Sequence, residues 1–251
     1  IIKRFDLIYC EKTGFEFGHI SDLTERSWLT EYVENKYLSF KVSKDEKIQL
    51  LQKLTEADGL ERYLHTKYVG QKRFSLEGGD ALIPALDRII RSGAKLGIDE
   101  VFIGMAHRGR LNSLVNIAGK LPQKVFDEFD GNYPNYDFVT SGDVKYHKGH
   151  KCNYVTEHGL VKTVLAYNPS HLEVVNPVVN GMVRARQENV ANPEVVLGVL
   201  VHGDSALIGL GTNQGVLNMS QTRGYNVKGM LHIVVNNQVG FTTSDIRDNR
   251  S

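Results

Sequence analysis

A carboxylate at Asp204 and a carboxamide at Asn237 each stand just past a β-rich run, and both side chains offer hard oxygen ligands. In an open parallel sheet, ligands gather beyond the carboxyl ends of the strands. Four such runs, residues 101–105, 163–166, 195–201 and 231–235, all end in polar sequence. The first leads into His107-Arg108-Gly109-Arg110 and the second into Asn168-Pro169-Ser170-His171-Leu172-Glu173. The third leads into His202-Gly203-Asp204-Ser205 and the fourth into Asn236-Asn237-Gln238-Val239-Gly240. Ordinary loop polarity accounts for any one of these ends, whereas the four together point to one anion and metal site. Mg²⁺ demands six oxygens in near-octahedral array and is usually shared with phosphates. Asp204 and the amide oxygen of Asn237 are candidates for such oxygens. Arg108 has the charge and fork geometry for phosphate, and Arg110 is the next candidate. His107 and His147 can bind a carboxylate or move a proton near neutrality.

Other chemistries lose their footing. Gly209-Leu210-Gly211-Thr212-Asn213-Gln214-Gly215 has glycines at the wrong interval for a dinucleotide loop, and no strand immediately precedes it. There is no Gly-Lys-Ser/Thr phosphate loop, no zinc-type Cys/His cluster and no Gly-x-Ser-x-Gly elbow. The two cysteines, Cys10 and Cys152, are far apart and read as plain thiols in a reducing compartment.

The elements that must position these residues follow from patterning. Asp22 with Glu25, and Ser43 with Glu46, read as capping boxes opening helices over 23–33 and 45–57. A third helix is expected over 59–67. Leu82, Leu86, Ile89 and Ile90 recur at helical spacing, with Asp80 as the expected N-cap. From about residue 100, β-rich runs alternate with helical stretches over 111–118, 178–190 and 206–219, the α/β signature. The fold expected is a helical lead-in over 1–70, then over 71–251 an α/β domain, truncated at its C-terminal end, whose mostly parallel sheet carries helices on both faces. The chain has 251 residues, 41% of them hydrophobic and 24% charged, enough to bury a core without disulfides. A net charge of +1 gives no overall field toward nucleic acid or anionic membrane. The basic group Lys145, Lys148, His150 and Lys151 reads as a solvated loop. No run is apolar for the roughly 20 residues that span a bilayer. The chain lacks an initiator Met, which reads as a piece of something longer.

In order along the chain, FSLEGGDALIP (74–84), GMAHRGRLN (104–112), GDVKYHKG (142–149), NPSHLE (168–173), HGDSA (202–206) and VVNNQVGFTTS (234–244) resemble the 2-oxoglutarate dehydrogenase family. The likeness is to its thiamine-diphosphate-dependent decarboxylase component, and it extends to the lead-in Gly18-His19-Ile20-Ser21 with Glu25, Arg26 and Trp28. It implies the thiamine diphosphate-binding fold and a set of roles. Arg108 would contact the diphosphate. Asp204, Asn237 and the Val239 carbonyl would hold Mg²⁺, while Ser170, Leu172 and Ser205 would line the cofactor. His107 and His147, helped by Ser170, would be catalytic and would receive the 2-oxo acid with its distal carboxylate. Ser205 departs from the family, which usually carries Ala there, and Gly18 replaces a larger residue.

The implied reaction is oxidative decarboxylation of 2-oxoglutarate in the tricarboxylic acid cycle, with the cofactor as electron sink. The succinyl group would pass to lipoyllysine on the succinyltransferase component, with dihydrolipoyl dehydrogenase as the third member of the complex. The enzyme would be a homodimer binding neither nucleic acid nor membrane, in the bacterial cytoplasm or the mitochondrial matrix. The family's activating glutamate lies in a pyrimidine-binding domain that nothing here matches, so the 251 residues alone are expected to be inactive. A 2-oxoadipate-type homologue is the runner-up, since one methylene in a pocket is worth about 1 to 3 kcal/mol. A non-catalytic scaffold is the alternative from another class.

Overall fold

Ser43 and Glu46 exchange the two bonds of a capping box, Glu46 N–H donating to Ser43 Oγ at 3.2 Å and Ser43 N–H to Glu46 Oε2 at 2.9 Å. They open the helix Lys44–Lys67 (α3), which runs on through Gly59 where the sequence suggested two helices. Helical glycine costs about 1 kcal/mol. Ala57, Leu60 and Leu64 are all buried and share one face across that position, which outweighs the cost. A computed structural model describes residues 1–132, 144–240 and 242–248, so Gly142, Asp143 and Phe241 of the motifs above lie outside the described residues.

The chain forms two compact units, residues 1–50 and 51–251. In the first, the helices Ile2–Tyr9 (α1) and Leu23–Lys36 (α2) meet through Arg4, which donates to the Glu34 carbonyl at 2.6 Å, and Tyr9, whose hydroxyl donates to the Glu34 carboxylate at 3.1 Å. Asp22 caps α2 as expected, accepting from the N–H groups of Thr24 and Glu25.

The second unit holds a five-stranded sheet in the order β2-β3-β1-β4-β5. Its strands are Glu100–Met105 (β1), His150–Thr156 (β2), Gly159–Leu165 (β3), Val196–Gly203 (β4) and Met230–Val235 (β5). β1 pairs in parallel with both β3 and β4, β4 pairs in parallel with β5, and β2 is an antiparallel edge. The four parallel strands are the expected β-rich runs. β2 is additional, and its residues 150 and 151 were read as part of a solvated loop. Its side chains alternate between exposed and half-buried positions, so short polar sequence there looks like a loop until β3 supplies a partner.

Helices cover both faces of the sheet. On one, Leu82–Lys95 (α4), Arg110–Asn116 (α5) and Pro122–Phe129 (α6) bury Ile83, Leu86, Ile90, Leu114 and Val125 with Ile103 and Val199. On the other, Val175–Glu188 (α7) packs Val175, Val179 and Val183 on Phe102 and Leu200. Each such side chain contributes about 1.5–3 kcal/mol when fully buried. The helix expected over 206–219 is two, Asp204–Gly209 (α8) and Gly211–Met219 (α9), broken where Leu210 turns extended. Asp80 does not cap α4. Its carboxylate accepts from Gly78 N–H at 3.1 Å inside the preceding turn, and Ala81 holds the cap position without a side-chain bond.

Strand order fixes where a ligand goes. The chain leaves β1 toward β3 on one side and leaves β4 toward β5 on the other, so the connections diverge between β1 and β4, and the crevice opens there at their carboxyl ends.

Candidate functional site

A cavity of about 720 Å³ lies at that divergence. Its walls include His107 and Arg108 after β1, Leu172 beyond β3, Asp204 and Ser205 after β4, and Asn237 and Val239 after β5. The other two expected site residues, His147 and Ser170, join each other: Ser170 Oγ and His147 Nε2 are 2.8 Å apart. The His147 ring lies 5.6 Å from that of His107. All nine expected positions therefore belong to one region, eight of them beyond the carboxyl ends of the four parallel strands and His147 in the turn before β2.

Asp204 is buried, and its Oδ2 has no hydrogen-bond partner among the described residues. The Asn237 carboxamide places one terminal atom 3.2 Å from Asp204 Oδ1 and 3.0 Å from the Val239 carbonyl oxygen. With nitrogen at that point the amide donates to both. With oxygen there, three oxygens converge, an arrangement that a cation stabilises. Among the described residues no three His, Cys, Asp or Glu side chains cluster as metal ligands, so any cation at this point would have one carboxylate, an amide and a carbonyl as its protein donors. That donor set suits a hard cation.

Arg108 is exposed at the cavity wall, its Nη1 donating to the Ser75 carbonyl at 3.1 Å, and it keeps further donors for an anion. Arg110, the second arginine of the motif, does not face the cavity. It is fully buried and donates to main-chain carbonyls, so it is unavailable to a phosphate. Lys145, read as solvated, lies 4.2 Å from the centre of the Phe129 ring and donates to Gln71 Oε1.

His107 Nε2 is buried without a hydrogen-bond partner among the described residues. Burial, then the charges of His147, Arg110 and Lys72, push its imidazole pKa down, favouring the neutral form. Phe74 stacks on it at 4.8 Å and 24°, a neighbour that the motifs contained but that carried no expected role. Phe74 sits at φ 46°, rare for an L residue, and its carbonyl accepts from Gly109 N–H at 3.0 Å. Gly109 itself is at φ 75°, and a Cβ there would come 2.6 Å from Leu76 Cδ1.

A second unforeseen group supports the β4 end. His202 Nδ1 lies 2.6 Å from Glu173 Oε2, both side chains being buried, and His202 Nε2 lies 2.9 Å from His232 Nδ1. Glu173 follows Leu172 and His202 comes shortly before Asp204, so the pair ties two cavity walls together. The signal was a glutamate and a histidine inside quoted motifs. Only the fold reveals that they meet.

The sequence profile of the dehydrogenase E1 component family matches residues 53–251. The chain is similar to the 2-oxoglutarate dehydrogenase E1 component of Cupriavidus necator, 52% identical over 97% of this chain and 26% of that protein. It is similar to the 2-oxoglutarate dehydrogenase E1 component of Azotobacter vinelandii, 50% identical over 100% of this chain and 27% of that protein. The Haemophilus influenzae protein of the same description is 49% identical over 97% of this chain and 26% of that protein. The chain thus spans about a quarter of the length of the curated relatives it matches. With the profile covering most of the chain and the cavity at the sheet's switch point, the chain belongs to the dehydrogenase E1 component family.

Proposed function

We propose that these residues form the part of a 2-oxoglutarate dehydrogenase E1 component that binds the diphosphate of thiamine diphosphate through Mg²⁺. The whole protein then decarboxylates 2-oxoglutarate oxidatively in the tricarboxylic acid cycle and passes the succinyl group to lipoyllysine. In this reading its partners are the succinyltransferase and dihydrolipoyl dehydrogenase components, and it acts as a homodimer.

The observation that carries the reading is the unpartnered, buried Asp204 Oδ2 beside the contacts of Asn237 with Asp204 and Val239. Neighbouring ligands of an octahedral Mg²⁺ stand about 2.9 Å apart, since each lies about 2.0–2.1 Å from the ion. The spacings of 3.2 and 3.0 Å around the Asn237 amide suit that geometry. Asp204, Asn237 through its oxygen and the Val239 carbonyl would hold the ion. Arg108 and Ser205 would take the diphosphate, and Leu172 and Ser170 would line the remainder. When bound, thiamine diphosphate supplies the electron sink for loss of CO₂ from a 2-oxo acid. His107, whose lowered pKa favours the neutral form, and His147, joined to Ser170, would hold the substrate's carboxylates.

The test is CO₂ release by the full-length protein, with and without thiamine diphosphate and Mg²⁺, on 2-oxoglutarate, 2-oxoadipate and pyruvate. Release dependent on both additions and greatest on 2-oxoglutarate is expected. Preference for 2-oxoadipate moves the substrate by one methylene, and bound cofactor without turnover on any acid replaces the enzyme with a scaffold.

A further inference from the structure

Arg110 is fully buried, and no carboxylate among the described residues pairs with it. Burial pushes its guanidinium pKa down to about 10, with no partner opposing the shift. An uncompensated buried cation is strongly destabilising unless its donors are satisfied. Here each of its three nitrogens donates to the main chain. Nη1 donates to the Met105 carbonyl at 3.0 Å, Nε to Lys148 at 3.1 Å, and Nη2 to Lys148 at 2.7 Å, to His147 at 3.4 Å and to Ala166. Met105 ends the strand that leads to His107, Ala166 follows the end of β3, and His147 and Lys148 belong to the segment that carries the second histidine. One side chain thus fastens three segments of the cavity's rim.

The His147 carbonyl also accepts from Asn168 N–H at 3.0 Å, two residues before Ser170. Beyond it, Gly149 lies so close to β3 that a Cβ would come 2.7 Å from the Leu165 carbonyl. The main chain of His147 has no freedom to settle elsewhere while Arg110 holds it. A lysine cannot reproduce this, because its ammonium is a compact charge without a planar fork.

We propose that Arg110 is a positioning residue for substrate selectivity: it fixes the spacing of His147 from His107, and that spacing distinguishes a 2-oxo acid bearing a distal carboxylate from a monocarboxylate of equal length. This rests on the reading that the two histidines receive the distal carboxylate. Arg110 acts through His147 and touches no substrate atom.

The experiment uses the full-length enzyme loaded with thiamine diphosphate and Mg²⁺, and compares the dianion 2-oxoglutarate with the monoanion 2-oxovalerate by their kcat/KM values. In Arg110→Lys the preference for the dianion falls at least about tenfold, mostly through weaker apparent binding (a raised KM) for the dianion, because a displaced contact costs up to about a hundredfold. Cofactor affinity stays within about twofold of the parent. In a His147→Ala background the same change leaves the preference where His147→Ala alone put it, as a shared route requires. Equal loss on both acids, or a full additional loss in the His147→Ala background, overturns the proposal. Should Arg110→Lys fail to fold, Gly149→Ala moves the same segment without touching the arginine, and an unchanged preference there overturns it as well. A parent enzyme that turns over the two acids alike overturns the reading of the histidines, and this inference with it.

Discussion

The loop after β1 and the loop after β5 face the same cavity and are held in opposite ways. Beyond β1, Gly109 N–H is fixed by the Phe74 carbonyl, Arg108 by that of Ser75, and the His107 ring by Phe74. The segment leading to Phe74 is anchored by Glu61, a buried carboxylate accepting from Arg73 at 2.6 Å, Leu76 N–H at 3.1 Å and Asn112 at 3.1 Å. Beyond β5, the described residues bond to near neighbours: Asn236 accepts from Gln238 N–H at 2.7 Å, Gly240 from Thr243 N–H at 3.0 Å, and Asp245 from Arg247 N–H at 2.9 Å. The link from this loop to β4 runs through Asn237 and Asp204, and its chemistry depends on which amide atom faces the carboxylate. Under the proposed function, the β1 side, already organised by buried protein groups, would receive the substrate, whereas the β5 side would be completed by the ion. Preorganised polar groups act without reorganising during reaction, which suits the half that must discriminate.

The most direct way to break the comparison is Asp204→Ala in the full-length protein. It removes the charged member of the oxygen set, so Mg²⁺-dependent thiamine diphosphate binding should weaken by at least about a hundredfold, more than the 10- to 100-fold typical of supporting residues. A cofactor titration with and without Mg²⁺ checks this, and unchanged affinity sinks the metal assignment. Next comes Glu61→Ala, which removes the buried acceptor shared by Leu76 N–H, Asn112 and Arg73 while Arg73 keeps Glu77, and should cost about 3 kcal/mol by denaturant midpoint, since a buried donor left unsatisfied costs about 1–3 kcal/mol. Glu61→Gln keeps an acceptor and should cost less. Gly109→Ala adds a methyl against Leu76 at positive φ and should cost about 1–3 kcal/mol. Thr243→Ala, its counterpart in the β5 loop, should fall within about 0.5 kcal/mol. Equal costs for the two would mean that both loops are held alike.

The same contrast explains what could be read from sequence. β1 and β4 were legible because buried strands are nearly continuous apolar runs, β3 and β5 from their β-rich composition, and the polar ends of the strands named Asp204, Asn237, Arg108 and His107 directly. β2 was not, since it borrows its partner from a hairpin and shows only weak alternation. The break at Leu210 hides in sequence that stays helical on either side. Arg110 was misread for a different reason. Only two positions separate two arginines of identical chemistry, and packing alone decides that Arg108 faces the cavity and Arg110 the carbonyls behind it. Glu61, Phe74 and the Glu173–His202 pair act across long sequence separations, where spacing carries no signal.

The smallest expected effect concerns two histidines, one in the loop after β1 and one within β5. His107 beyond β1 and His232 on β5 both have pKa values pushed below 6.5, chiefly by burial and then by a neighbouring histidine. In each case the unfolded chain binds a proton more readily than the folded one. Stability contributed by the neutral imidazole is therefore full above about pH 7 and is lost as pH falls through 6.5 toward the lowered value. Replacing either histidine with glutamine should flatten the acid side of the stability curve, read as the difference in melting temperature between pH 7.5 and 5.5. A bound dicarboxylate separates them. At His107 it would stabilise the imidazolium and return the pKa toward 6.5, so glutarate should shrink the acid penalty in the parent and do nothing further in His107→Gln. His232 lies away from that ligand, and the flattening caused by His232→Gln should be the same with glutarate or without it. Glutarate acting equally through both positions would place the anion between the two loops rather than on the β1 side.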